Sequence, residues 1–200
     1  MLSWPIRCIS SLAGGAAPLQ AGRPERTKPA QCANQRSYCR EVPEVRLEPM
    51  SDEEYAHFGE RSEVSYAAQI AASRAVPLSE ARRQAAEDHE RLLPEGARTP
   101  DHYLWTAYEG NQPVGDLSLH LERRPDGLHA FGYGIEVRQQ LRRRGYGRAI
   151  AAAAERNCRE MNVLSIGLTV FGPNKAAKSL YEDLGFEVTV LQMREPLSTA

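Results

Sequence analysis

No apolar run in this chain approaches the roughly 20 residues that an α-helix needs to cross a bilayer, so no membrane span is expected. Net charge is nearly absent. The 25 basic side chains stand against 26 acidic ones, which argues against a general nucleic-acid binder. Cysteine is scarce as well, with four in 200 residues. Three of them, Cys8, Cys32 and Cys39, lie near the start at spacings that match no zinc pattern, with no histidine among them. No metal site is expected. The fourth, Cys158, falls on a helical stripe and reads as a small core hydrophobe. A chain without a disulfide framework fits a reducing compartment, so a cytoplasmic location is the expectation. There is no internal repeat.

The near-zero total hides two unlike parts. Residues 1–41 carry six basic and two acidic side chains, and the remainder carries 19 basic and 24 acidic. The first part is rich in Pro, Gly, Ala, Ser and Arg and shows neither helical nor strand periodicity, so a disordered basic head is expected over 1–41. A mitochondrial presequence is one alternative, since no acid precedes Glu25. A physiological start near Val42 or Met50 is another. Residues 42–200 are expected to form one globular domain.

Within 42–200 the hydrophobic period changes twice. Glu44 to Leu47 reads as a short strand. Ser51-Asp52-Glu53-Glu54 is a capping box and opens a helix to about Ser73, with Gly59 as a possible break. Tyr55, Phe58, Tyr66 and Ile70 mark its inner face. Pro77-Leu78-Ser79 restarts the chain, and Ser79 is expected to cap a second helix to about Leu93. Ala81, Ala85, His89 and Leu92 form its stripe. Three strands follow: His102–Tyr108, Val114–Leu121 and Leu128–Val137. Asp126-Gly127 is the hairpin turn between the last two. A helix from about Tyr146 to Met161 comes next, then a central strand over Val163–Phe171. A helix over Lys175–Leu184 ends at Gly185, and Phe186–Met193 is the final strand.

The stretch from Gln139 to Ala149 joins the third hairpin strand to its helix. It is basic and contains Gly145 and Gly147. A strand that runs through such a turn into a helix presents backbone N–H groups to an anion. It therefore reads as a pyrophosphate cradle. The alternative is a solvated basic turn before an ordinary helix.

The order strand, helix, helix, three antiparallel strands, helix, strand, helix, strand resembles the GNAT superfamily of acetyl-CoA-dependent N-acetyltransferases. Two local motifs carry the resemblance. Arg142-Arg143-Arg144-Gly145-Tyr146-Gly147 is similar to the family's acetyl-CoA motif. Asn174, followed by Lys175-Ala176-Ala177-Lys178-Ser179 and then Leu180-Tyr181-Glu182-Asp183-Leu184-Gly185-Phe186, is similar to its second signature. The resemblance covers residues 44–194. It implies an α+β, three-layer fold: a mixed, mostly antiparallel sheet of about six strands flanked by four helices.

The resemblance also implies a chemistry. Acetyl-CoA is the acyl donor and no metal takes part. Backbone at about Ile135–Val137 pairs with the pantetheine arm. The main chain and side chains of Arg142, Arg143, Arg144, Gly145, Tyr146, Gly147 and Arg148 receive its phosphates, with two of the four arginines expected to reach them. Asn174 contacts the CoA arm, and as a residue it also reads as a helix N-cap. Tyr181 is the general acid toward the leaving sulfur, against a reading as a packing tyrosine. The base is less marked. Glu136 is the candidate, with Asp116, His120, His129 and Tyr133 behind it. The acceptor is an amine of a small molecule or peptide, with no nucleic acid and no membrane as partner, and homodimers are common among relatives. Acid on the first two helices can attract a cationic amine, but it reads more simply as solvated helix surface. A CoA-binding regulatory module without catalysis is the alternative function.

Overall fold

The computed structural model describes residues 43–195 and 197. The expected basic head lies outside the described residues. Nine elements follow in order: β1 (Arg46–Pro49), α1 (Asp52–Arg74), α2 (Leu78–Leu92), β2 (His102–Glu109), β3 (Gln112–Arg124), β4 (Gly127–Val137), α3 (Tyr146–Glu160), β5 (Val163–Leu168) and α4 (Lys175–Asp183). The strands form one sheet in the order β1-β2-β3-β4-β5. Every pairing is antiparallel except β4 with β5, which α3 connects as a parallel crossover.

The register sorts the side chains into two faces. Trp105, Leu117 and Ile135 stand in one cross-strand row, and Ala107, Gly115 and Val137 in the next. These rows pack on Ala149, Ile150, Ala154 and Cys158 of α3, where the main core lies. Full burial of a side chain such as Ile150 stabilises by about 1.5–3 kcal/mol. The intervening rows face α1. Leu104 packs there against Met50, Phe58 and Leu93. The row Thr106, Asp116 and Glu136 shares this face, because side chains directly opposite in a ladder project to the same side.

Helix α1 begins as the sequence dictates. Glu54 N–H donates to Ser51 Oγ at 3.2 Å, and Ser51 N–H donates to Glu54 Oε2 at 2.8 Å. Gly59 does not break the helix, which runs unbroken to Arg74. Its inner face is Phe58, Ala67 and Ile70, and Ala67 and Ile70 meet Ala81 and Ala85 of α2. Tyr66 is only half-buried; its hydroxyl donates to Asp88 at 3.3 Å. On α2 the buried residues are Ala81, Ala85 and Asp88, and His89 is a half-buried packing residue, as its place on the stripe suggests. His89 stands beside Tyr55, with its Nε2 3.3 Å from the phenol oxygen.

Three local expectations are corrected. Ser79 lies inside α2, whose N-cap is Pro77 with no side-chain hydrogen bond. Proline presets the backbone for helix entry, so the helix starts one residue ahead of the serine. Strand β5 stops at Leu168 and is the edge of the sheet, with Leu164 exposed. The run from Phe186 to Met193 is not laddered to the sheet. Its alternating pattern suits a strand, but a strand exists only where a neighbouring backbone completes it. Here Arg194 donates to the carbonyls of Arg74 (2.8 Å) and Ser73 (3.4 Å) at the end of α1. The run thus leads to α1, and Val188, Val190, Leu191 and Met193 are exposed.

Candidate active site

Strand β4 outruns its neighbour. Its pairing with β5 ends at Gly132, whereas its pairing with β3 continues to Val137. Between the two lies a bulge. Gly132 opposes Leu119 and Gly134 opposes Ser118, so Tyr133 is the extra residue. From Tyr133 to Val137, β4 therefore has an open edge on the β5 side among the described residues.

Main-chain direction on that edge follows from one hydrogen bond. Arg138 N–H donates to Val114 O at 2.9 Å, toward β3. Backbone polar groups alternate sides along a strand, so those of Glu136 also face β3. Those of Ile135 and Val137 face the open edge. Arg142 confirms the direction, because its Nε donates to Val137 O at 3.2 Å from outside the ladder. Expected pantetheine contacts at Ile135 and Val137 are thus backbone groups without a ladder partner in this sheet.

The loop after β4 turns sharply. Gln139–Leu141 form one 3₁₀ turn, anchored by buried Leu141. Arg143 adopts φ 63° and Gly145 φ 93°. Gly145 is the N-cap of α3, with no side-chain cap hydrogen bond. The first-turn amides of Gly147 and Arg148 lack intrahelical partners by geometry, and the start of the helix is its positive end. The side chains divide. Arg142, Arg143 and Arg144 are exposed. Tyr146 turns inward, and its hydroxyl donates to Glu109 at 2.6 Å. Only its amide belongs to the loop surface. Arg148 pairs with Asp183 of α4 at 2.9 Å.

That ion pair brings the second motif beside the first. A Cβ on Gly147 would stand 3.2 Å from Leu180, so glycine here permits α4 to approach α3 closely. Asn174 caps α4, accepting from Ala177 N–H at 3.1 Å, and its amide nitrogen lies 3.5 Å from Gln69 of α1. Tyr181 is half-buried, edge-on to Phe186 at 5.3 Å. Burial pushes its phenol above the usual range, which keeps it protonated.

The base candidates separate clearly. Glu136 is 30% exposed on the α1 face, with Arg142 3.6 Å away. Asp116 is 2% exposed and held by Arg61 at 2.7 Å and Arg138 at 3.2 Å, one on each carboxylate oxygen. His129 has both nitrogens engaged, by Ser165 at 2.7 Å and Asp126 at 3.1 Å, near the start of β4. His120 packs on His102 at 4.4 Å between ring centroids, and Tyr133 stacks on His102 at 6.0 Å. Desolvation holds His102 below the usual histidine range. Sequence reasoning missed the Arg61–Asp116–Arg138 cluster as a unit. The polar alternation Asp116, Ser118, His120 between leucines was a signal for it. Nothing in α1 marked Arg61.

A cavity of about 440 Å³ opens beside this cluster, lined by Glu60, Arg61, Val64 and Ser65 of α1 with Glu136 and Arg142. Among the described residues no group of three or more His, Cys, Asp or Glu side chains could hold a metal ion. No described helix is long and apolar enough to cross a membrane.

Known proteins resemble this chain in sequence and in fold. The profile of the acetyltransferase (GNAT) family matches residues 41–186. The uncharacterized N-acetyltransferase YycN of Bacillus subtilis (strain 168) is 30% identical over 154 residues, covering 76% of this chain and 99% of that protein. A second uncharacterized N-acetyltransferase of the same organism, YdgE, is 26% identical over 152 residues, covering 76% and 97%. The crystal structure of YycN superposes with a TM-score of 0.74 at 29% identity, covering 78% of this chain and 99% of that one. A GCN5-related N-acetyltransferase from Ralstonia eutropha JMP134 shares the fold at TM-score 0.58 and 17% identity, covering 76% and 98%.

Proposed function

The chain belongs to the GNAT acetyltransferase family and is an acyltransferase; we propose that it transfers an acetyl group from acetyl-CoA to a primary amine of a small molecule or peptide by direct attack. The observation that carries this is the open edge of β4 at Ile135 and Val137, which leads into the uncapped start of α3. An unpaired strand edge suits an extended arm with amide groups, and the helix start suits a pyrophosphate. The chain thus fits CoA by shape and by donor set.

Acetyl-CoA, when bound, supplies an activated thioester carbonyl. The protein's own residues then have four tasks. Ile135 and Val137 hold the arm through their main chain. The amides of Tyr146, Gly147 and Arg148 receive phosphate oxygens, and two of the arginines, Arg142 among them, add charge-assisted contacts. Arg142 must first release Val137 O and Glu136. Glu136, freed of that cation, takes a proton from the attacking amine, directly or through water. Tyr181 gives its proton to the sulfur as the carbon–sulfur bond breaks, and regains one from solvent. Residues 42–200 form the catalytic domain in this reading. A reducing, cytoplasmic setting suits the buried free thiol of Cys158.

Thiol release from acetyl-CoA, measured over a panel of amines, tests the reading. CoA appearing only when an amine is present is the expected result. Tight CoA binding with no turnover of any amine would refute it.

A further inference from the structure

Transfer chemistry leaves the cluster beneath α1 unused. Asp116 is one buried carboxylate facing two guanidiniums, so the three side chains carry one net positive charge. Arg138 alone would neutralise Asp116. Bringing a second guanidinium against the same carboxylate adds a desolvation cost with little return in stability. Arg61 also spends little on the pair. A single Nη2 contact engages Asp116, while its Nε is buried with no hydrogen-bond partner among the described residues. The side chain remains 34% exposed and lines the 440 Å³ cavity. Asp116 therefore fixes the position of Arg61 through one Nη2 hydrogen bond and leaves the exposed part of the guanidinium to the cavity.

The cavity carries both signs on different walls. Arg61 projects from α1, and Glu136 belongs to β4. Arg142 shields Glu136 at 3.6 Å, and in the proposed reaction it leaves for phosphate. A carboxylate and a fixed guanidinium then remain in one open groove. A ligand with one ammonium and one anionic group matches that arrangement. A fork of N–H donors selects a carboxylate with particular strength.

We propose that the acceptor is a zwitterionic amine, a free amino acid or short peptide, whose carboxylate is received by Arg61 while Glu136 faces its ammonium. This rests on the acetyl-transfer reading. The same bonds form and break: nitrogen to carbonyl carbon, and carbon to sulfur. Only the class of amine is new.

The test compares matched acceptors with the full-length protein. Amino acids, their amides and their decarboxylated amines are assayed by thiol release, with wild type, Arg61→Met and Arg61→Lys. Wild type should favour the free acid over its amide by about tenfold to hundredfold in kcat/KM, carried mainly by KM. Arg61→Met should bring that ratio to about one, and Arg61→Lys should keep part of it. The KM for acetyl-CoA should stay within about twofold of wild type. Far-UV circular dichroism confirms the fold of each variant. Equal turnover of acids and amides by wild type overturns the proposal. So does a ratio that survives Arg61→Met, or an effect of Arg61→Met on acetyl-CoA alone. Loss of turnover with every amine refutes acetyl transfer instead. In that event thermal unfolding of the CoA-loaded protein decides between the outcomes. A rise in Tm with amino acids but not amides, absent in Arg61→Met, upholds the carboxylate site, and no difference overturns it.

Discussion

Replacing Gly115 by alanine links the packing of the sheet to the open edge. Gly115 lies opposite Val137, on the face that meets α3. A Cβ there would fall inside contact distance of the Glu136 carbonyl oxygen, 2.8 Å from Ile150 Cδ1 and 3.2 Å from Val137 Cα. Ile150 can change rotamer. The two backbone atoms can yield only if β4 moves. Overpacking of this kind costs about 1–3 kcal/mol, partly offset by the 0.4–1 kcal/mol gained when alanine stiffens the unfolded chain. A net loss of about 1–2 kcal/mol is expected, or roughly 2–8 °C in Tm for a domain of this size. Gly134 is the control. It sits in the same pair of strands with nothing within 4 Å of its Cβ direction, so Gly134→Ala should be neutral or slightly stabilising. Urea unfolding of both variants measures the difference. The acetyl-CoA KM of Gly115→Ala should also rise, because the displaced segment is the one that carries Ile135 and Val137. A Gly115→Ala protein within about 0.5 kcal/mol of wild type would show that the Gly115–Glu136 packing argument is wrong.

Tyr181→Phe should lower kcat at least tenfold and change acetyl-CoA affinity little, as expected when a proton donor is lost. Because burial raises the phenol's pKa, the alkaline fall of kcat should lie above the ordinary tyrosine value of 10; a limb below pH 9 would remove Tyr181 as the acid. Asp116→Ala should destabilise by about 2–4 kcal/mol in urea, since two guanidiniums lose their shared buried partner; a loss under 1 kcal/mol would mean both simply rehydrate. Glu54 titrates low, at about 2. Burial alone would raise it, but hydrogen bonds from Tyr108 and the Ser51 amide outweigh that effect. Its folded-state value lies below the unfolded 4.5, so its stabilisation is present above pH 4.5 and lost as pH falls toward 2. The Tm gap between wild type and Glu54→Gln should close over that window. A gap independent of pH would place the effect in packing instead.

Much of the fold was legible in residue order, for identifiable reasons. Ser51 and Glu54 make a helix start from local chemistry alone, and they form the capping box that their spacing predicts. The rows Leu117-Leu119-Leu121 against Asp116-Ser118-His120 follow from the two-residue period of a strand. Gly185 ends α4 at φ 90°, as a glycine after a helix does. The less legible parts depended on partners distant in sequence. Phe186–Met193 has strand character but is drawn to the end of α1 by Arg194. Asp88 lies off the apolar stripe of α2, yet it is buried, because Tyr66, Gln84 and Arg91 all bond it.

The same division runs through the candidate site. Residue order marked the proposed donor half: Arg142 to Gly147 and Asn174 to Phe186 are contiguous stretches built on local turns and helix starts. Tertiary structure alone decided the rest. Whether Glu136 faced the cleft or the outer surface rested on its register with Asp116, which a bulge at Tyr133 sets. Arg61 stands 55 residues from Asp116, and no local pattern in α1 marks it as that carboxylate's partner. Helix starts and glycine turns act over a few bonds and so can be read along the chain. Opposing charges across a cleft meet only when the sheet and α1 close on each other.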